Sequence, residues 1–259
     1  MHVVGFQNDI AWEDRQSNFS RIDASAAASS DIGVASLLVF PELSTCGFSM
    51  NPGRTAEPKE GESFQFFSQL AKKHQSYVIA GLAVESDKPG LGANEAVCFA
   101  PAGEEIARYR KMHPFPLVEE EKHYPAGSAP VVFPIGEWTV STLICYDLRF
   151  PEPFRRATAM GAELFVVIAN WPIAREDHWL TLLRARAIEN QAYVVGVNRS
   201  GTDPTLTYPG SSLIVGPKGE TIAHAGREPG LITADLNREE LLQWRRDFPA
   251  IAPLLPTNK

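Results

Sequence analysis

The chain has only three cysteines in 259 residues, Cys46, Cys98 and Cys145. They are too few and too widely spaced for a disulfide framework, and no two stand two apart as a zinc site would use. A reducing cytoplasm is the expected setting. No apolar run approaches the roughly 20 residues of a spanning helix. The opening Met1-His2-Val3-Val4-Gly5-Phe6-Gln7 lacks the basic region, long apolar stretch and cleavage site of a secretion signal. Neither a membrane partner nor export is therefore expected. Basic residues are outnumbered 24 to 31 and form no runs, so nucleic acid is not an expected partner either.

What is present is a 44% hydrophobic chain with 21% charged residues, enough to bury a large core. A single domain over residues 1–259 is expected, ending in a proline-punctuated surface tail from about 249 to 259. Short β-branched runs alternate with helical stretches. Residues 3–7 and 37–40 flank an alanine-rich helix, giving a β-α-β opening. A helix over 64–74, with Phe66, Phe67 and Leu70 on one face, precedes a strand over 77–83. Residues 94–99 and 106–110 read as a hairpin turning at Pro101-Ala102-Gly103. Further strands are expected over 140–144, 164–169 and 193–198, with helices over 153–160 and 179–190. Residues 211–215 and 231–235, separated by the turn at Pro217-Lys218-Gly219-Glu220, supply the last strands.

Three strand ends carry reactive side chains. Glu42 follows the run Val39-Phe40-Pro41, Lys111 follows Tyr109-Arg110, and Cys145 follows Thr142-Leu143-Ile144. Open α/β sheets gather ligand groups at such ends, and a strand running through a cysteine into a turn presents a nucleophile. An amide is a poor electrophile, so its cleavage needs a nucleophile, a proton carrier and a stabiliser of the oxyanion. A thiol, a carboxylate and an ammonium cover those needs. Taken singly, each residue has a structural explanation: a small buried apolar cysteine, a loop glutamate, a solvated lysine. Cys46 reads as structural. His113 and His178 resemble bases by residue type alone.

Phe40-Pro41-Glu42, Tyr109-Arg110-Lys111 and Cys145-Tyr146-Asp147-Leu148-Arg149-Phe150-Pro151-Glu152 resemble, in order, the three signature segments of the nitrilase (carbon-nitrogen hydrolase) superfamily. The similarity continues through Ala169-Asn170-Trp171-Pro172, His178-Trp179, Ala185-Arg186-Ala187-Ile188-Glu189-Asn190-Gln191 and Asn198-Arg199. It implies a four-layer α-β-β-α sandwich of two six-stranded sheets, assembly as a homodimer or larger homo-oligomer, and no metal or organic cofactor. It also implies catalysis by Glu42, Lys111 and Cys145. A second active-site glutamate is implied at Glu120, four before Tyr124 and seven before Gly127, although Glu119 and Glu121 flank it.

The Tyr146-Asp147 pair differs from the tryptophan and glutamate that follow the cysteine in true nitrilases, and from the carbamoyl-hydrolysing pattern. The cysteine segment is most like that of the omega-amidase group, which implies a short acidic or 2-oxo amide as substrate. Deaminated-glutathione amidases and other aliphatic amidases share much of it; a nitrile hydrolase and a non-catalytic binding scaffold are further alternatives. Arg149 can grip a carboxylate bidentately or form an ion pair with Glu152 or Asp147. Tyr146, Phe150, Asn170 and Trp171 are candidate pocket residues with it.

Overall fold

The computed structural model describes residues 1–254. Its first half runs β1 (His2–Gln7), α1 (Arg15–Ala28), β2 (Leu37–Val39), α2 (Pro52–Thr55), α3 (Glu62–His74), β3 (Tyr77–Glu85), β4 (Gly92–Phe99) and β5 (Glu105–Arg110). Its second half runs β6 (Val132–Ile135), β7 (Trp138–Ile144), α4 (Pro151–Ala159), β8 (Leu164–Ala169), α5 (Glu176–Asn190), β9 (Tyr193–Asn198), β10 (Ser200–Thr202), β11 (Thr207–Pro209), β12 (Leu213–Val215), β13 (Thr221–His224), β14 (Gly230–Asp235) and α6 (Arg238–Asp247). One six-stranded sheet has the order β14-β1-β2-β3-β4-β5 and the other β13-β12-β9-β8-β7-β6, with β10 and β11 as a separate ribbon.

Period-two alternation divides the first sheet between two cores. Val3, Leu37, Val39, Ile79, Ala96 and Cys98 share a cluster with Leu143, Val166 and Val195 of the second sheet. Their neighbours Val4, Leu38, Phe40, Val78, Ala80, Val97 and Phe99 pack instead against Ile22 and Ala26 of α1 and Phe67, Leu70 and Ala71 of α3. Phe154 and Ala157 of α4 and Trp179 and Leu183 of α5 cover the second sheet. The result is the expected α-β-β-α sandwich. Phe66, on the face shared with Phe67 and Leu70, packs half-buried at the margin of the cluster formed with α1 and α3 and stacks on Phe19 of α1, with centroids 4.4 Å apart.

Strand direction decides where the site forms. β2 runs parallel to β3, and β4 reverses direction before β5 reverses it again. The carboxyl ends of β2 and β5 therefore share one edge. In the other sheet β7, β8 and β9 are mutually parallel, which likewise collects their carboxyl ends.

Several elements differ from the sequence expectation. The turn at Pro217 to Glu220 leads into β13, which pairs with β12, whereas β14 crosses to the other sheet and pairs with β1. β6 and α6 went unread. Pro134 hides β6, and it is tolerated there because β6 is an edge strand. In the tail, Ile251 is buried rather than on the surface; residues 255–259 lie outside the described residues.

Gly81 marks a tight constraint on this edge. Its N–H donates to the Pro41 carbonyl, and its carbonyl accepts from the Ser44 N–H. A Cβ added there would stand 2.5 Å from both Glu42 Cα and Leu43 N. Both are backbone atoms, which cannot swing aside. Gly81→Ala is expected to destabilise the fold by about 1–3 kcal/mol, the usual cost of overpacking. Urea denaturation checks this, and a midpoint equal to wild type would show that the Glu42 loop yields freely.

Candidate active site

Glu42 leaves β2 through Pro41 and is fully buried. Its Oε1 accepts from Lys111 Nζ at 2.8 Å and Asn94 Nδ2 at 2.7 Å. Its Oε2 accepts from the Asn170 backbone N–H at 2.9 Å. Lys111, one residue past β5, also donates to Glu120 Oε1 at 3.0 Å and Oε2 at 2.9 Å. Of the three adjacent glutamates Glu120 alone is buried, while Glu119 and Glu121 face solvent. The Phe115 N–H holds Glu120 Oε2 at 2.6 Å, and Asn94 Nδ2 reaches its Oε1 at 3.0 Å. The Gly127 N–H donates to the Lys111 carbonyl at 2.7 Å and fixes the returning loop.

Asn94 had no role in the sequence reading. Its amide nitrogen must face the two carboxylates, which only accept, and this leaves its Oδ1 buried without a partner. The polar pair Asn94-Glu95 in a strand whose other residues are apolar or glycine was the signal available.

Cys145 begins the turn after β7 with φ of 48°, in the left-handed region that non-glycine residues rarely adopt. Asp147 holds this turn. Its fully buried carboxylate accepts from the Ile144 N–H at 3.0 Å, the Tyr109 hydroxyl at 2.7 Å, and the backbone and ring nitrogens of His113 at 2.9 and 2.7 Å. Tyr109 and His113 flank Lys111 by two residues on each side, so one carboxylate ties the lysine strand to the cysteine turn. The Cys145 thiol points a weak hydrogen bond at the Asn170 carbonyl, 3.9 Å away, and Asn170 Nδ2 donates to the Glu42 carbonyl at 2.7 Å. Both sheets thus contribute to one cluster.

The charges act on one another. Burial works against ionisation of Glu42, but the Lys111 ammonium, with help from Asn94 and the Asn170 N–H, outweighs it and holds the carboxyl below its ordinary range. Burial and the neighbouring Glu42 push the Cys145 thiol up, against the pull of Lys111. Burial likewise raises Glu120, opposed by Lys111 and reinforced by Glu42. Lys111 stays a cation because the two carboxylates overcome its burial. The free protein therefore holds a thiol next to a carboxylate able to take its proton. Cys46, by contrast, is buried in a turn beyond Glu42, with its thiol pushed up to about 12 chiefly by burial.

A pocket opens over Cys145 and is lined by Phe48, Phe115, Tyr146, Arg149, Trp171, Arg175 and others. The Arg149 guanidinium lies 4.8 Å from the Trp171 ring and 5.7 Å from Tyr146. It forms neither of the expected ion pairs, because Asp147 is committed elsewhere and no bridge to Glu152 is present among the described residues. It instead contacts His178 Nδ1 at 3.2 Å. Tyr146, Asn170 and Trp171 line the pocket as expected. Phe150 does not: the 3₁₀ turn over Cys145–Arg149 carries it behind Tyr146, where it stacks on His113 at 3.9 Å. Arg175 is a lining residue that the sequence reading missed. No cluster of potential metal ligands occurs among the described residues.

Replacing Asp147 by alanine would leave two N–H groups, a hydroxyl and an imidazole without their acceptor. Asp147→Ala is expected to cost on the order of 3 kcal/mol, and Tyr109→Phe about 1 kcal/mol. Urea denaturation measures both; an Asp147→Ala protein as stable as wild type would remove this carboxylate from the framework.

Comparison with known proteins agrees with this geometry. The carbon-nitrogen hydrolase family model matches residues 3–246. The 2-oxoglutaramate amidase of Bacillus subtilis is 38% identical over 83% of each chain. Omega-amidase YafV of Yersinia enterocolitica is 38% identical over 94% of this chain and 93% of its own. Among solved structures, a CN-hydrolase superfamily protein of Xanthomonas campestris superposes with a TM-score of 0.91 at 28% identity, covering 98% and 96% of the two chains. An amidase from Nesterenkonia sp. AN1, a double mutant in complex with acrylamide, gives 0.84 at 29% identity, covering 95% and 94%. With the family match running through both sheets and every strand end described above, the chain belongs to the carbon-nitrogen hydrolase family.

Proposed function

We propose that the protein is an omega-amidase-like enzyme that hydrolyses a short acidic or 2-oxo dicarboxylic acid monoamide to the acid and ammonia. The observation that carries this reading is the convergence of Cys145, Glu42 and Lys111 beneath a pocket that also contains the unpaired Arg149. The omega-amidase and 2-oxoglutaramate amidase relatives support the same substrate class.

The chemistry follows from the charge distribution. Glu42 takes the thiol proton as Cys145 sulfur attacks the amide carbon. The Lys111 ammonium and the backbone N–H of Tyr146, in the first turn after the cysteine, are the donors for the oxyanion. Lys111 already serves both glutamates, so a developing oxyanion competes with those carboxylates for its protons. Glu42 then returns the proton to the departing ammonia, and a thioester remains on Cys145. Water, deprotonated by Glu42, releases the acid and restores the thiol. Glu120 positions Lys111 throughout. Arg149 receives the substrate carboxylate in a guanidinium fork.

Assembly as a homodimer or larger homo-oligomer and a cytoplasmic location belong to the same proposal. Met160, just past α4, and Ile188, on α5, leave apolar side chains more than half exposed on the outer layer, as a self-association surface would.

Ammonia release from 2-oxoglutaramate and succinamate, set beside deaminated glutathione, butyramide and a nitrile, tests the substrate class. Preference for the first two is expected, and turnover of only another member of the panel would overturn it. Cys145→Ala is expected to abolish turnover while far-ultraviolet circular dichroism stays unchanged, with Glu42→Gln losing about 10²- to 10⁴-fold. Turnover by Cys145→Ala at the wild-type rate would exclude the thioester route.

The pH profile follows from Glu42. Its pKa is depressed below 4.5, so the ionised base is present above that value and is lost only as pH falls through it. kcat/KM is expected to stay level from about pH 7 down to about pH 5.5. An acid limb centred above about pH 6 would assign the essential base to another group.

A further inference from the structure

The pocket over Cys145 contains a second guanidinium that the proposed mechanism does not use. Arg175, in the short turn before α5, lines the same cavity as Arg149, and its guanidinium lies 5.3 Å from the ring of Phe115, another lining residue. Its placement is built. Its backbone carbonyl accepts the Trp171 indole N–H at 2.7 Å, and the Trp171 backbone is bracketed by the Asn198 side chain at 2.7 and 3.0 Å. The ring that carries Arg149 on its face thus anchors, through its edge, the turn that carries Arg175.

Neither arginine forms an ion pair among the described residues. The carboxylates nearest the thiol are already engaged, Glu42 and Glu120 by Lys111 and Asn94. Of the other lining residues, Phe48, Phe115, Tyr146, Trp171, Pro172 and Leu206 carry no charge, and Asn170 offers only a neutral amide. The pocket therefore offers two cations and no free anion to whatever enters it.

We propose that Arg175 is a specificity-determining residue which, with Arg149, makes the pocket select amides bearing a carboxylate and reject those that also carry an ammonium group. This rests on the amidase reading above and narrows its substrate class. A carboxylate bound between two guanidiniums is held in place, whereas an ammonium on the adjacent carbon meets like charge with no free carboxylate to offset it. Succinamate and asparagine differ only by that ammonium, so they form a matched pair; butyramide supplies a neutral reference.

The test measures kcat and KM for succinamate, asparagine and butyramide with wild type, Arg175→Met and Arg175→Lys. The Arg175 side chain makes no hydrogen bond among the described residues, and the carbonyl that holds Trp171 survives either change. In Arg175→Met the succinamate to butyramide ratio of kcat/KM is expected to fall about 10- to 100-fold, mostly through KM, as befits the loss of a hydrogen bond to a charged group. Asparagine is expected to gain relative to succinamate, and Arg175→Lys to retain part of the wild-type preference. A ratio within about twofold of wild type, or an equal loss of kcat on succinamate and butyramide, would overturn the role of Arg175 and leave the amidase reading standing. A wild-type enzyme that hydrolyses none of the three, or prefers butyramide, would instead overturn the acidic-amide reading and the role of Arg175 together.

Discussion

Lys111 between Glu42 and Glu120 is the interaction on which the rest of the site depends. Moving such ions out of water costs several kcal/mol each, and their attraction repays it only when the geometry is good and every remaining lone pair is met. Here each carboxylate receives help from a different part of the chain. Asn94 of β4 serves both, the Phe115 N–H serves Glu120, and the Asn170 N–H brings the second sheet to Glu42. The packing of sheet on sheet is thus coupled to the ionisation of one glutamate. A shift between the sheets would remove Asn170 and raise the energy of a charge that has nowhere to go.

The same cluster explains why the thiol needs a base. Lys111 alone would favour a thiolate, but two carboxylates surround it and burial opposes any further negative charge. The sulfur stays protonated and neutral in the free protein, and in the mechanism proposed above its proton passes to Glu42 when a substrate arrives. The left-handed turn at Cys145 is the backbone cost of that arrangement, about 1–3 kcal/mol for such a residue. Asp147 offsets it with four hydrogen bonds gathered from both strand ends.

The elements that were legible in the sequence are those whose physics is local. Residues 164–169 are an uninterrupted apolar run and 193–198 are apolar up to the terminal Asn198, and the structure gives β8 and β9 the same limits. β6 was hidden by a proline that only its edge position permits, and β13 is a four-residue edge strand directly after the turn at Pro217 to Glu220. In the site, Glu42, Lys111, Glu120 and Cys145 were recognisable by resemblance, and the structure brings Glu42, Lys111 and Glu120 into direct contact. Asn94 and Asp147 were not recognisable as partners because their hydrogen bonds join residues 52 and 38 positions apart, and no pattern along a chain records such pairs. Phe150 was misplaced for a related reason: adjacency to Tyr146 suggests a shared wall, but a 3₁₀ turn points successive residues in different directions.

Charge is segregated within the site. The carboxylates lie buried around Lys111, whereas the guanidiniums of Arg149 and Arg175 lie on aromatic faces lining the cavity. The chain as a whole carries a net charge of -7, which by itself would repel an anionic amide. At physiological salt, however, fields from exposed charges fade over roughly 8 Å, so an approaching substrate responds to the lining more than to the distant surface. Stacking on aromatic rings keeps the guanidiniums partly dehydrated and oriented, which lowers the ordering cost of binding. On the proposed reading, the anion would be held by one set of charges, while the amide at its other end would meet the opposite set, whose carboxylate takes up the thiol proton.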